Sequence, residues 1–357
     1  MTTDHQPRLQ TLDALRGVAA LGVVLFHYLP YYGHLYGHGA PLPEPLTGPL
    51  EFGRYGVHLF FILSGFVIFM TLERTRTAGW FAMARASRLL PALWAGIFMT
   101  YLCVQALGPE NRAVTLPQAL LNLTLLHEYL GQPHVDGAYW SLVVEVTFYV
   151  WIAALFFGMR QWSRIRLALA VWLAVSYTGV IFWKHLPGPL EFLVKDLLFV
   201  KYAPLFIAGI LVYRWYRGGT LPPAERILLA FAMGHALLAY KAPFNLFVLA
   251  CHGLFLLAVF GYLGFLANRP LLWLGRLSYS LYLIHQNIGY GVLGLAYRQG
   301  LPPEAAVPLA VTTALALACL LHYGIERPCL ERFRRYRERQ DQRPGPDLGQ
   351  AACPGEG

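Results

Sequence analysis

The sequence predicts an all-α, polytopic integral membrane protein with about ten transmembrane helices. Three observations carry this. Hydrophobic residues make up 57% of the chain, charged residues only 13%, and mean hydropathy is positive, outside the usual balance of soluble domains. The apolar residues come in runs of about 17–25, the length a helix needs to cross a hydrocarbon core of about 30 Å. Lys and Arg are distributed unevenly between alternate connections, as in membrane proteins.

The first run, 9–30, follows a short polar lead-in (1–8) and is too long for a cleavable signal. The others are 53–72, 86–108, 138–159, 164–184, 196–216, 225–241, 244–266, 273–298 and 304–326. Between the third and fourth, "LPQALLNLTLLHEYL" (Leu116–Leu130) is too short to cross and reads as an interfacial or re-entrant helix. No internal repeat is evident, and no soluble domain longer than a loop. Residues 9–328 therefore read as one transmembrane domain. Residues 329–357 read as a basic tail, disordered towards "PGPDLGQAACPGEG".

Basic residues choose the orientation. With both termini cytoplasmic, the inner side carries 21 of the 28 Lys and Arg, and the outer side keeps Arg54, Arg112, Lys184, Lys195, Lys201, Lys241 and Arg298. That is the bias of the positive-inside rule. The net charge of +9 is thus spread over membrane loops. No recognition motif accompanies it, so no nucleic-acid partner is expected. The tail "ERFRRYRERQDQR" suits anionic lipid headgroups, making membrane lipids the expected partner there.

Cys103, Cys251, Cys319, Cys329 and Cys353 show no zinc or disulfide spacing. His34 and His38 in "HLYGH" have ligand spacing but lack a carboxylate, so no metal is expected.

Ionisable side chains in apolar spans are costly and point to function. In "LDALRGVAALGVVLFHY", Arg16 and His27 are eleven residues apart. That is three turns plus ~20°, on one helix face and ~16 Å apart. Each alone reads equally as an interfacial residue, Arg16 snorkelling beside Asp13 and His27 beside Tyr28. Their shared face favours the two ends of one lined path. In "YWSLVVEVTFY", Ser141 and Glu145 share a face about two turns into the fourth span. A carboxylate there needs a proton, a cation or a histidine. A His27–Glu145 pair would make an oriented general base; a structural clamp between helices is the alternative.

Arg85 and Arg88 in "FAMARASRLLPALW" lie three apart and can grip one anion, although positive-inside topology alone also places arginines there. In "HLFFILSGF", His58 lies near the outer end, while Ser64 and Gly65 suit close helix packing. Ser278, Tyr282 and His285 form a polar stripe in "LGRLSYSLYLIHQ", either a cavity lining or an interhelical seam.

Together these stretches resemble the acyltransferase family 3 membrane proteins. The carriers are "LDALRG" with its R-x10-H, "FFILSGF", the RxxR pair, "WSLVVEVTFY" and "SYSLYLIH", in order from Leu12 to Pro328. The resemblance implies a ten-helix fold that moves acyl groups, commonly acetyl, from cytoplasmic acyl-CoA to a carbohydrate or lipid-linked sugar presented at the outer face. It implies a bacterial inner (plasma) membrane. It also implies essential roles for Arg16 and His27, a donor site at Arg85 and Arg88, and a third element at Glu145, Phe148 and Tyr149. The extra C-terminal esterase-like domain of many relatives is not expected here.

The expected mechanism docks acyl-CoA phosphates on Arg85 and Arg88, with the arm threading past Arg16. His27, oriented by Glu145, deprotonates an acceptor hydroxyl, or is itself transiently acylated. Trp140, Ser141, His58, Tyr149 and His285 are the candidate acceptor contacts, and the loop from Pro30 to Gly53 the candidate selector. Rival readings are a polytopic transporter, succinyl transfer, or acylation of a small secreted metabolite such as a macrolide.

Overall fold

The computed structural model describes residues 5–39, 44–109 and 111–341, and no β-strand occurs among them. The expected lead-in through residue 4 and the tail beyond residue 341 lie outside this range.

Every expected span corresponds to a helix. They are α1 (His5–Phe26), running through a π-turn (His27–Tyr31) into α2 (Tyr32–Tyr36), then α3 (Glu44–Glu51), α4 (Gly56–Glu73), α5 (Ala78–Leu107), α6 (Leu116–Asn122), α7 (Trp140–Met159) and α8 (Trp162–Phe182). After α9 (Gly188–Phe192) come α10 (Ala203–Gly218), α11 (Pro223–Ala239), α12 (Phe244–Val259), α13 (Arg269–Arg298), α14 (Pro303–Leu321) and α15 (Arg327–Asp341). By length and composition, 6 helices among the described residues can cross a membrane. The helices α10, α11 and α12 are shorter, at 16, 17 and 16 residues. The 30-residue α13 is long but carries a buried polar face. The architecture is that of an all-α polytopic membrane protein.

Two helix pairs organise the core. Helix α13 packs along α1 and is flanked by α5 and α14, and α4 packs along α10. Small residues make both crossings close. A Cβ on Gly275 would run into the Asp13 carbonyl of α1; one on Gly65 would meet the Phe206 backbone, and one on Gly209 the Ile62 carbonyl. Thr77 and Asn268 cap α5 and α13, accepting from Trp80 N at 3.3 Å and Leu271 N at 3.1 Å.

Two expectations are corrected. The first span runs on to Tyr36: Pro30 has no N–H to give, and the chain absorbs it in a π-turn rather than stopping. The segment Leu116–Leu130 is not one helix. A Thr115–Gln118 capping box starts α6, which ends at Asn122. The Asn122 amide then bonds the Pro133 carbonyl (3.0 Å) and the Val135 N–H (3.1 Å), and Leu125 turns left-handed at φ 58°.

Candidate active site

Two cavities lie along α1, one at the depth of Arg16 and one at the depth of His27. The first, about 90 Å³, is lined by Arg16, Arg85, Arg88, Ser64, Ser141, Glu145, Tyr149, Ser278, Tyr279 and Tyr282 among apolar side chains of α4. Glu145 Oε1 accepts from Ser64 Oγ at 2.7 Å and Tyr149 Oη at 2.6 Å. One carboxylate thus faces three guanidinium groups. The Arg85 Nε–H is buried without an acceptor, so the site retains a donor for an anion.

Behind Arg88 lies a second carboxylate, which sequence reasoning missed. Glu326 is 4.0 Å from Arg88, and its Oε2 accepts from Ser280 Oγ at 2.7 Å and lies 2.9 Å from His322 Nδ1. The signal was present in "HYGIE", an i,i+4 His–Glu pair ending an apolar run.

The second cavity, about 360 Å³, is lined by His27, Tyr31, Arg54, Tyr55, His58, Arg112, Trp140, Lys201, Tyr202, Tyr240, Tyr282 and Gln286 among others. His27 begins the π-turn, a distortion common at functional positions. Its Nδ1 lies 2.9 Å from the Val23 carbonyl and 3.2 Å from His285 Nε2. A carbonyl only accepts, so His27 Nδ1 carries the proton. His285 Nδ1 faces the Tyr282 carbonyl at 2.9 Å and is protonated for the same reason, leaving its Nε2 to accept from His27. The free lone pair of His27 is then on Nε2, on the ring that lines the chamber.

The walls come from several helices and the loops between them, and one buried acid ties a loop to a helix. Asp136 is fully buried, and burial pushes its carboxyl up to about 6. It accepts from Ala138 N at 3.0 Å and Asn287 N at 2.9 Å, tying the loop before α7 to α13. Tyr282 and Val57 belong to both cavities.

Of the expected site residues, Arg16, Arg85, Arg88, Ser141, Glu145 and Tyr149 gather in the first cavity, and His27, His58 and Trp140 in the second. His285 backs His27 instead of lining the chamber. The expected His27–Glu145 pair is not formed. Glu145 points to Ser64 and Tyr149 on the arginine side, and His27 is oriented by Val23 and His285. Arg16 and His27 line two adjacent chambers that meet at Val57 and Tyr282. Sequence reasoning also missed Arg54, Arg112, Lys201 and Gln286, which reach the chamber from separate loops and helices.

Comparison with known proteins decides the family. The sequence profile of the acyltransferase domain that defines acyltransferase family 3 matches residues 9–323. The chain belongs to this family. It is 28% identical over 305 residues to the exopolysaccharide production protein ExoZ of Rhizobium meliloti (strain 1021), covering 79% of this chain and 91% of that one. It is 30% identical over 186 residues to nodulation protein 10 of Rhizobium leguminosarum bv. viciae, 47% of this chain and 48% of the relative. It is 26% identical over 372 residues to YrhL of Bacillus subtilis (strain 168), which carries the provisional name of a peptidoglycan O-acetyltransferase, covering 91% and 55%. The chain therefore spans about half the length of two of these relatives. No solved structure matches it. The family match runs through α1 to α14, so both cavities lie inside the acyltransferase domain.

Proposed function

We propose that the chain is a membrane O-acyltransferase that moves an acyl group, an acetyl group in the simplest case, from acyl-CoA to a hydroxyl of a carbohydrate. The observation that carries this is the pairing of an arginine-lined cavity with a chamber holding a histidine whose Nε2 is free to accept a proton. The names of ExoZ and YrhL, one for exopolysaccharide production and one for peptidoglycan O-acetylation, support a polysaccharide acceptor.

In this reading Arg85 and Arg88 hold the donor phosphates by charge-assisted hydrogen bonds, and Arg16 guides the arm to Val57 and Tyr282, where the chambers meet and movement of these side chains lets the thioester reach His27. His27 Nε2 takes the proton of the acceptor hydroxyl as its oxygen attacks the thioester carbonyl. The tetrahedral intermediate collapses with cleavage of the C–S bond, and the imidazolium returns its proton to the departing thiolate. Trp140 and His58 contact the acceptor. Ser141 and Tyr149 belong to the donor side, and His285 positions His27.

The basic-residue bias supports an orientation with both termini cytoplasmic in an inner (plasma) membrane. The donor cavity then opens inward and the His27 chamber outward. Purified protein with radiolabelled acetyl-CoA and polysaccharide provides the test. His27→Ala should abolish transfer while CoA binding persists. Undiminished turnover would reject the base role.

A further inference from the structure

We infer that the His27 chamber selects an anionic acceptor, a glycan bearing a carboxylate or phosphate next to the hydroxyl that is acylated. This rests on the reading of that chamber as the acceptor site and names the acceptor's chemical class.

Three of the seven basic residues left on the outer side by the topology, Arg54, Arg112 and Lys201, line this one chamber. Topology disfavours cations there, so their convergence needs another cause. Among the described residues no Asp or Glu lines the chamber, and none of the three lies within 4.0 Å of a carboxylate.

Aromatic faces hold them instead. Arg54 lies 5.7 Å from the Phe26 and Tyr55 ring centres, Lys201 4.9 Å from Tyr240, and Arg112 5.6 Å from Tyr290. Such contacts orient a cation without cancelling its charge. The buried acid of the adjoining loop, Asp136, accepts from two backbone N–H groups and lies behind the lining, where it interacts with Arg112 but leaves Arg54 and Lys201 uncompensated.

The donor cavity makes the contrast. Its three arginines have Glu145 among them and Glu326 behind Arg88. Among the described residues the His27 chamber has three cations and no carboxylate in its lining, with Asp136 behind it near Arg112 alone, and its walls concentrate the field on what enters. Trp140 and Tyr202 offer ring faces on which a sugar can stack. Apolar faces for the ring and cations for its charged substituent are what an acidic sugar would need.

The test uses the full chain in lipid nanodiscs, radiolabelled acetyl-CoA, and three matched acceptors. These are trigalacturonate, its carboxyl-reduced neutral counterpart, and that neutral trisaccharide phosphorylated at its reducing end. Acetyl transfer is measured, and acceptor binding is measured separately without donor. At least one anionic acceptor should bind and react about tenfold better than the neutral one, with the difference in KM and shrinking as salt rises. The carboxylate and phosphate arms identify which anion is read.

Arg54→Gln with Lys201→Gln should bring the anionic-to-neutral ratio to within about twofold of unity. Arg54→Lys with Lys201→Arg should restore it, and retained CoA binding shows that the variants are folded. A wild-type ratio near unity, or a ratio that survives the charge-removing pair, overturns the proposal. Transfer without charge selectivity sinks this inference alone. Charge-selective binding without transfer sinks the reaction assignment alone. The absence of both sinks the two together.

Discussion

Tyr282 Oη lies 2.6 Å from Ser141 Oγ, and this bond braces the wall between the two chambers. Both hydroxyls also reach the Ala138 carbonyl, at 3.0 and 3.1 Å. Removing the phenol ring should join the chambers and admit water to the donor side. Tyr282→Ala is therefore expected to raise acceptor-independent acetyl-CoA hydrolysis several-fold while lowering transfer. Ser141→Ala removes the serine's contacts to Tyr282 and Ala138, at about 1 kcal/mol per hydrogen bond, but leaves Tyr282 tied to Ala138, so its effect on the partition should be smaller than that of Tyr282→Ala. Thioester loss followed with a thiol reagent measures both, and a Tyr282→Ala protein with wild-type hydrolysis would contradict the partition.

His285 acts on the reaction through His27. Its Nε2 shares the single His27 Nδ1–H with the Val23 carbonyl and so reinforces the ring orientation and the tautomer that leave His27 Nε2 basic. His285→Leu should lower kcat about 10–100-fold with little change in either KM. His285→Gln, which offers an acceptor oxygen, should recover part of the loss. Equal losses in both variants would mean that His285 is there for packing alone.

Glu145 separates the sequence reading from the structural one. Were it to orient His27, Glu145→Gln would move the acidic limb of the kcat/KM profile, because that limb titrates the base. On the arginine side it should leave the limb in place and change the donor KM by a few-fold. Arg85→Ala with Arg88→Ala should weaken donor binding about tenfold or more, most strongly at low salt. A pH–rate profile with a CoA titration resolves these outcomes.

What could be read from the sequence was whatever lay within one helix. Arg16 and His27, Arg85 and Arg88, Ser141 and Glu145, and the Ser278–Tyr282–His285 stripe are all short-range, and each was found by counting turns. The pairings were not legible. Ser64 meets Glu145 across 81 residues and His27 meets His285 across 258, and helical periodicity carries no information about which faces meet. The π-turn was hidden for a related reason, since Pro30 signals a break but not how the chain repairs it. The chamber cations come from separate elements, so each looked like an ordinary loop charge. The family resemblance implied roles for single residues but not the partition of the site.

The α4–α10 crossing should be intolerant of a single methyl group. At Gly65 a Cβ would collide with the Phe206 backbone, and at Gly209 with the Ile62 carbonyl. Backbone atoms cannot swing aside as a side-chain tip can. Gly65→Ala or Gly209→Ala should cost about 3 kcal/mol. Gly253→Ala is the control: a Cβ there meets nothing within 4 Å, and replacing a helical glycine by alanine is neutral to stabilising. Thermal unfolding in detergent compares the three.

The loop between α6 and α7 should make stability depend on pH through Glu128. Burial, reinforced by Asp196 and opposed by Lys195, pushes its carboxyl from 4.5 up to about 7. The folded chain then binds more protons than the unfolded chain between these values. Its stabilising share is complete below about pH 4.5 and is lost as pH rises through about 7. Partial exposure screens the effect to about 1 kcal/mol. His134, 3.9 Å from Glu128, does not offset this at neutral pH, because burial lowers its pKa and keeps it uncharged. His127, pushed down to about 4 by burial, is uncharged there as well. Glu128→Gln removes the carboxylate and leaves the histidines, so the difference between variant and wild type isolates this one group. The variant should melt about 2 °C higher near pH 8 and converge with wild type near pH 4.5. A constant offset across that range would mean that Glu128 titrates in the loop as it does in the unfolded chain.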